Sequence, residues 1–161
     1  MKRFLKGFVW AGRGVVLCLR ERNFRCHLCF AAFVSWFAAR FYDLSRAEWA
    51  VLLLTFGAVL SLEAVNTAVE RLCDRVSPEK NKLVGMAKDI AAGAVLLMAL
   101  GAVGVGIALF WDTERFAATG EWFLGAWYRI PAFAAAFAAG VCFVLLPEKK
   151  RALEANNRWG E

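Results

Sequence analysis

Four apolar stretches, at 26–39, 49–68, 90–111 and 131–146, alternate with polar segments along the chain. The second and third reach the ~20 residues that a helix needs to cross a bilayer. The first and fourth are shorter, and the charges flanking them support reading them as spans. Pro131 fits a helix start, where its missing N–H is not needed, and Pro147 fits just past an end. Near the start of the chain, Phe4, Leu5, Phe8, Val9 and Trp10 alternate with Lys2, Lys6 and Arg13 in a helical rhythm. That rhythm predicts an amphipathic helix lying in the headgroup layer. Arg13 interrupts the stretch and no small-residue cleavage site follows, which argues against a signal peptide. Ser45 and Glu48 have the spacing of a capping box, and Ser77-Pro78-Glu79 ends a long helix. The pattern thus predicts an all-α, polytopic membrane bundle. Its elements are an interfacial helix at 3–22, spans at 25–42, 48–75 and 86–111, an external segment at 112–129, a fourth span at 130–147 and a polar tail. Residues 1–111 form the core, and 112–161 form an extension.

The polar exceptions to this pattern carry the chemistry. Glu63, Asn66 and Glu70 interrupt the second long apolar helix or stand just below it, and Lys88 and Asp89 stand at the mouth of the next. An ionised group at bilayer depth costs roughly 2.5–3.5 kcal/mol on insertion scales, so a chain that carries several generally uses them. At about 100° per residue, Glu63, Asn66, Glu70 and Asp74 fall within an arc of about 80° on one helix face. Three carboxylates and an amide in a column suit a metal-bound phosphate or a proton relay, not contact with lipid.

Composition and charge fix the setting. Of 161 residues, 60% are hydrophobic, and the mean hydropathy is +0.50. Soluble domains average about 45–50% apolar. Arg71, Arg75, Lys80, Lys82 and Lys88 crowd the second loop, and most other cations lie in the first 25 residues or in the tail. The remaining two loops hold only Arg40, Arg46, Arg115 and Arg129. The positive-inside rule then puts both termini and the second loop in the cytoplasm, which four spans satisfy. The net charge of +6 is a membrane-face signature and gives no reason to invoke nucleic acid. Five cysteines are scattered, and Cys26-His27-Leu28-Cys29 lacks the second pair that a zinc site needs. Unpaired thiols packing as small hydrophobes are the favoured reading. The glycines at 93, 101, 104 and 106 let helices approach closely, so oligomer packing is plausible there.

A carboxylate near the inner interface could take a proton from a lipid hydroxyl whose tails stay in the bilayer. Acids one and two turns nearer water could hold Mg²⁺, and Lys88 could neutralise a transferring phosphoryl. Glu63-x-x-Asn66-Thr67-Ala68-Val69-Glu70-x-x-x-Asp74, then Glu79 and Gly85-x-Ala87-Lys88-Asp89, resembles the signature of the small prokaryotic diacylglycerol kinase/undecaprenol kinase family. Glu21-Arg22-Asn23-Phe24-Arg25 and Ser45-Arg46-Ala47-Glu48-Trp49 are similar to its Gram-positive branch. The resemblance covers roughly residues 5–111.

It implies a homotrimeric, ATP- and Mg²⁺-dependent kinase of a membrane alcohol in the bacterial plasma membrane, with active sites between subunits at the cytoplasmic interface. By position, Glu63 would be the general base, with Asn66 orienting the reacting groups and both of them at the lipid substrate. Glu21 and Glu70 would hold the metal. Asp74, Glu79, Lys88 and Asp89 would meet the nucleotide or support the site, Lys88 on phosphate, and Trp10 and Gly14 would lie near the adenine. Asn81 stands where the family commonly has His. Undecaprenol is the favoured substrate and diacylglycerol the runner-up. A proton- or ion-conducting protein using the same acids as a relay is the reading from another class, and an inactive kinase fold serving in assembly is a third.

Overall fold

A computed structural model describes residues 2–77 and 81–146. Glu79 and the tail beyond residue 146 therefore lie outside the described residues. Those described form helices α1 (Lys2–Cys18), α2 (Arg22–Phe41), α3 (Arg46–Val76), α4 (Lys82–Phe110), α5 (Thr113–Leu124) and α6 (Arg129–Leu145). α3 packs along α4 as an antiparallel pair, α2 lies against both α3 and α6, and α5 lies on α6.

Each boundary has a local cause. The Ser45 Oγ accepts the Glu48 N–H at 3.3 Å while the Glu48 carboxylate accepts the Ser45 N–H at 2.7 Å, the reciprocal box that starts α3. Asn81 caps α4 by accepting the Leu83 N–H at 2.9 Å. The polar residue at this departure from the family pattern thus has a structural task. Asp112 does the same for α5, accepting from Glu114 and Arg115. The interfacial helix ends at Cys18 and not at residue 22, because Leu19–Glu21 make a tight turn with Glu21 N–H bonded to Cys18 O at 2.9 Å. Glu21 is then extended (φ −82°, ψ 134°), and α2 starts immediately after it. The segment 112–129 contains α5, a helix not expected from the pattern.

α3 and α4, of 31 and 29 residues, are long and apolar enough to cross a membrane. α5 and α6 pass the same test only as a pair bent by 101°, either a broken span or a re-entrant loop, so two or three spans are supported. At 1.5 Å per residue α3 is roughly 46 Å long, against a hydrocarbon core of ~30 Å. With Trp49 at one interface, the core ends near Ala68. Glu63 is therefore submerged by about one and a half turns, and Glu70 and Asp74 emerge on the far side.

Little is buried within one chain. Leu54, Leu97 and Ile90 are more than 70% exposed, as befits helices that face lipid or further subunits. Polar clasps close the two ends of the bundle. At one end the Tyr42 hydroxyl donates to Phe110 O at 2.9 Å, a carbonyl of the last turn of α4 that also accepts the Asp112 N–H. Burial, then the Asp112 carboxylate, push that phenol above its ordinary pKa, and Arg115 opposes them. At the other end buried Arg25 donates to Val144 O at 2.9 Å and Leu146 O at 2.7 Å, clasping the end of α6, and to Arg20 O at 3.1 Å. Hydrogen bonds from a charged donor contribute about 1.5–3 kcal/mol each. Arg25→Met should therefore lower unfolding stability in detergent by about 2–3 kcal/mol and speed proteolysis within 125–146. An unchanged denaturation midpoint would show that the clasp is idle.

Candidate functional site

The acidic column predicted on α3 is present, and three other elements complete it. Glu63 and Asn66 are among the most buried polar residues, 3% and 5% exposed, with Thr67 beside them. The Asn66 amide donates to Glu70 Oε1 at 3.0 Å, one turn toward the water. Its own Oδ1 is buried without a partner among the described residues. A buried acceptor left unpaired costs about 1–3 kcal/mol, which makes it a site awaiting a donor.

α2 supplies the wall opposite Glu63. Asn23 and His27 lie within reach of its carboxylate, and Glu70 and Glu21 are near enough to repel it. The hinge between α1 and α2 explains the position of Glu21. Its backbone is extended there and its side chain makes no capping bond, so the carboxylate is free to ion-pair with Arg71 of α3. Arg71, counted in the sequence only as a loop cation, ties the hinge to the column. The Cys18 thiol lies among Arg71, Glu21 and Glu63, and burial pushes it up, away from the reactive thiolate.

On the water side, Lys88 of α4 ion-pairs with Asp74 and lies within reach of Glu70. Glu63, Asn66, Glu70, Asp74 and Lys88 thus form one continuous string of neighbours, running from bilayer depth to solvent, with Glu21 joined from the side. Asp89 is exposed beside it. α1 and α3 enclose an open apolar groove of about 610 Å³, lined by Gly14, Cys18, Phe24, Gly57, Ala64 and Arg71 among others. Gly14 faces this space, and a Cβ there would meet nothing within 4 Å. Trp10 is 60% exposed and is not part of the lining, so within one chain the structure does not bring it to the string.

The donor set is all oxygen, which suits a hard cation such as Mg²⁺. No three His, Cys, Asp or Glu side chains converge as a cage among the described residues. Mg²⁺ needs no cage, since it is commonly held by one or two carboxylates plus substrate phosphates. Glu70 and Glu21, the two carboxylates within electrostatic reach of Glu63, are the residues that could serve as such ligands. Sequence reasoning missed Asn23 and gave His27 little weight. Nothing in the one-dimensional pattern shows that α2 begins opposite Glu63.

Compared with known proteins, residues 9–110 match the family model described as prokaryotic diacylglycerol kinase. The chain is 39% identical over 111 residues to undecaprenol kinase of Bacillus subtilis (strain 168), covering 68% of this chain and 89% of that one. It is 42% identical over 100 residues to diacylglycerol kinase of Synechocystis sp., covering 62% and 56%. It is 31% identical over 70 residues to diacylglycerol kinase of Escherichia coli (strain K12), covering 44% and 57%. No solved structure matches it.

Proposed function

The chain belongs to the prokaryotic diacylglycerol kinase family of ATP-dependent membrane lipid kinases, and we propose that it phosphorylates undecaprenol to undecaprenyl phosphate. The observation that carries this reading is the buried Glu63 at the head of a string that ends on Lys88 in water. A lipid alcohol anchored by its tails reaches the interface only from the membrane side, and a nucleotide reaches it only from the aqueous side. The string spans that boundary.

In the proposed mechanism the hydroxyl enters against Glu63, and Asn66 Oδ1, the orphaned acceptor, orients it. Glu63 Oε takes the hydroxyl proton as the oxygen attacks the γ-phosphorus and the β–γ bridging oxygen leaves on ADP. Lys88 turns from Asp74 toward the γ-phosphate, where its charge offsets the charge spreading over the equatorial oxygens. Glu70 and Glu21 would hold Mg²⁺, which neutralises charge on the triphosphate when bound. Glu21 is released from Arg71 in the process, freeing that guanidinium for phosphate. Asp74, Glu79 and Asp89 border the nucleotide. The α1–α3 groove at Gly14 would receive the base, with Trp10 closing on it as α1 settles onto the membrane.

The same reading places α2, α3, α4 and α6 across the plasma membrane, with both termini and the α3–α4 turn in the cytoplasm. α6, of 17 residues or roughly 26 Å, needs slight local thinning of the bilayer to do so. Homotrimer assembly would cover part of the apolar surface left bare on α3 and α4. Diacylglycerol is the second candidate substrate, because two of the relatives named above carry that name.

Incubating the purified protein with [γ-³²P]ATP and a panel of lipid alcohols tests the choice. Undecaprenol is expected to be labelled at least tenfold faster than diacylglycerol. Faster labelling of diacylglycerol would reverse the order. Proton flux in proteoliposomes without ATP would favour the relay.

A further inference from the structure

A second concavity, unrelated to the acidic string, lies between α2, α5 and α6 and has a volume of about 1000 Å³. None of Glu63, Asn66, Glu70 and Lys88 lines it. Its lining is apolar, with Phe30 and Phe137 beside small residues such as Ala136 and Gly140, and Phe33 and Phe133 meeting edge to face at 5.8 Å. Along α2 it runs from Cys26 to Arg40, roughly 21 Å at 1.5 Å per residue, which is longer than the ~15 Å of one hydrocarbon leaflet. Most of it is built by residues beyond the stretch that matches the family.

Its chemistry changes at one mouth, at the end of the bundle opposite Glu70. Arg40 and Arg129 both sit over the Trp122 ring, with guanidinium carbons 4.7 and 4.5 Å from its centre. Among the described residues neither forms an ion pair. Asp112 and Asp43 pair with Arg115 at 3.2 and 3.5 Å, Glu121 on α5 pairs with neither arginine, and Arg129 also donates to the Trp122 carbonyl. The 101° bend before α6 swings α5 across this mouth and places Trp122 and Phe123 as its rim. An apolar channel one acyl chain long, ending at two cations without counter-ions, is complementary to a lipid that carries a negative phosphate head.

We propose that this groove binds one anionic phospholipid of the outer leaflet, its phosphate held by Arg40 and Arg129 and one acyl chain laid along α2 and α6 over the Phe33–Phe133 contact. The site is separate from the kinase site. It shares with the function proposed above only the membrane placement of α2 and α6, and turnover remains the independent readout of that function. A bound lipid would fill the space between the extension and the core, which makes α6 a lipid-dependent part of the fold.

Native mass spectrometry of the detergent-purified full chain tests this, with phosphatidylglycerol, zwitterionic phosphatidylcholine and inorganic phosphate as probes. One phosphatidylglycerol per chain is expected to survive at concentrations where phosphatidylcholine does not. The double variant Arg40→Gln/Arg129→Gln should lose at least tenfold in retention, and Arg40→Lys/Arg129→Lys should keep the preference. Ala136→Trp, which fills the channel and leaves both charges, should also lose the lipid with helix content unchanged by circular dichroism. Equal retention of the two phospholipids would overturn the proposal, as would retention untouched by Ala136→Trp. Displacement of the lipid by inorganic phosphate at equal concentration would show an anion site without a chain. Thiol cross-linking of two chains through Cys29, not competed by phosphatidylglycerol, would show that a second copy covers the groove.

Discussion

Glu63→Gln is expected to reduce lipid phosphorylation by about 10³-fold or more, equivalent to about 4 kcal/mol in the barrier, while leaving Mg·ATP affinity within about twofold. Glutamine keeps the shape of the side chain and can still face Asn23, so the packing between α2 and α3 survives. Only the ability to accept a proton is lost. Glu63 is 3% exposed and has Glu70 and Glu21 as like-charged neighbours. Removing its charge therefore relieves a buried carboxylate, and the variant should be at least as stable as the parent. Turnover measured with saturating lipid, beside nucleotide binding by equilibrium dialysis, separates the two effects. Near-normal turnover would remove Glu63 from the role of base.

Glu70→Gln should fail differently. Its carboxylate is exposed on the water side, accepts from Asn66 at 3.0 Å and lies within reach of Lys88. The neutral amide would be a poor ligand for a hard cation and would weaken the hold on Asn66. The expected result is a rise of about tenfold or more in KM for Mg·ATP, with turnover falling about 10²-fold, and partial rescue by raised magnesium. Loss of turnover with an unchanged KM would place Glu70 in orientation of the alcohol and not with the metal. Both variants alter one face of one helix, Glu63 three and Glu70 four residues from Asn66. The contrast between them therefore tests the division of labour along the string.

The column on α3 was legible in the sequence because it depends on helical period. Once 48–75 is read as one helix, the spacing of Glu63, Asn66, Glu70 and Asp74 places them on one face, and the length of the apolar run sets their depths. The capping box at Ser45 was readable for the same reason, since its geometry is local. What escaped was set by contacts distant in sequence. Arg25 sits within Glu21-Arg22-Asn23-Phe24-Arg25, and only the fold shows that it clasps carbonyls of α6 more than a hundred residues away. The Arg71–Glu21 pair joins residues 50 apart through a hinge that the amphipathic rhythm of α1 had carried straight over. α5 was missed because its composition is mixed and its one local sign, Asp112 ahead of Thr113 and Glu114, was read as a polar loop. Cys26 and Cys29, weighed as a metal pair, are unpaired thiols on the rim of an apolar groove.

A single-turnover experiment tests the central claim most directly. Protein loaded with Mg·[γ-³²P]ATP is mixed with undecaprenol and quenched in acid over milliseconds to minutes. In the wild type, label should pass into the lipid phase to about one equivalent per active site, with no phosphoprotein formed on the way. In Glu63→Gln, loaded to the same extent, it should remain on ATP. Equal transfer by the two proteins, or label trapped on the polypeptide, would contradict direct attack by a membrane alcohol deprotonated at Glu63.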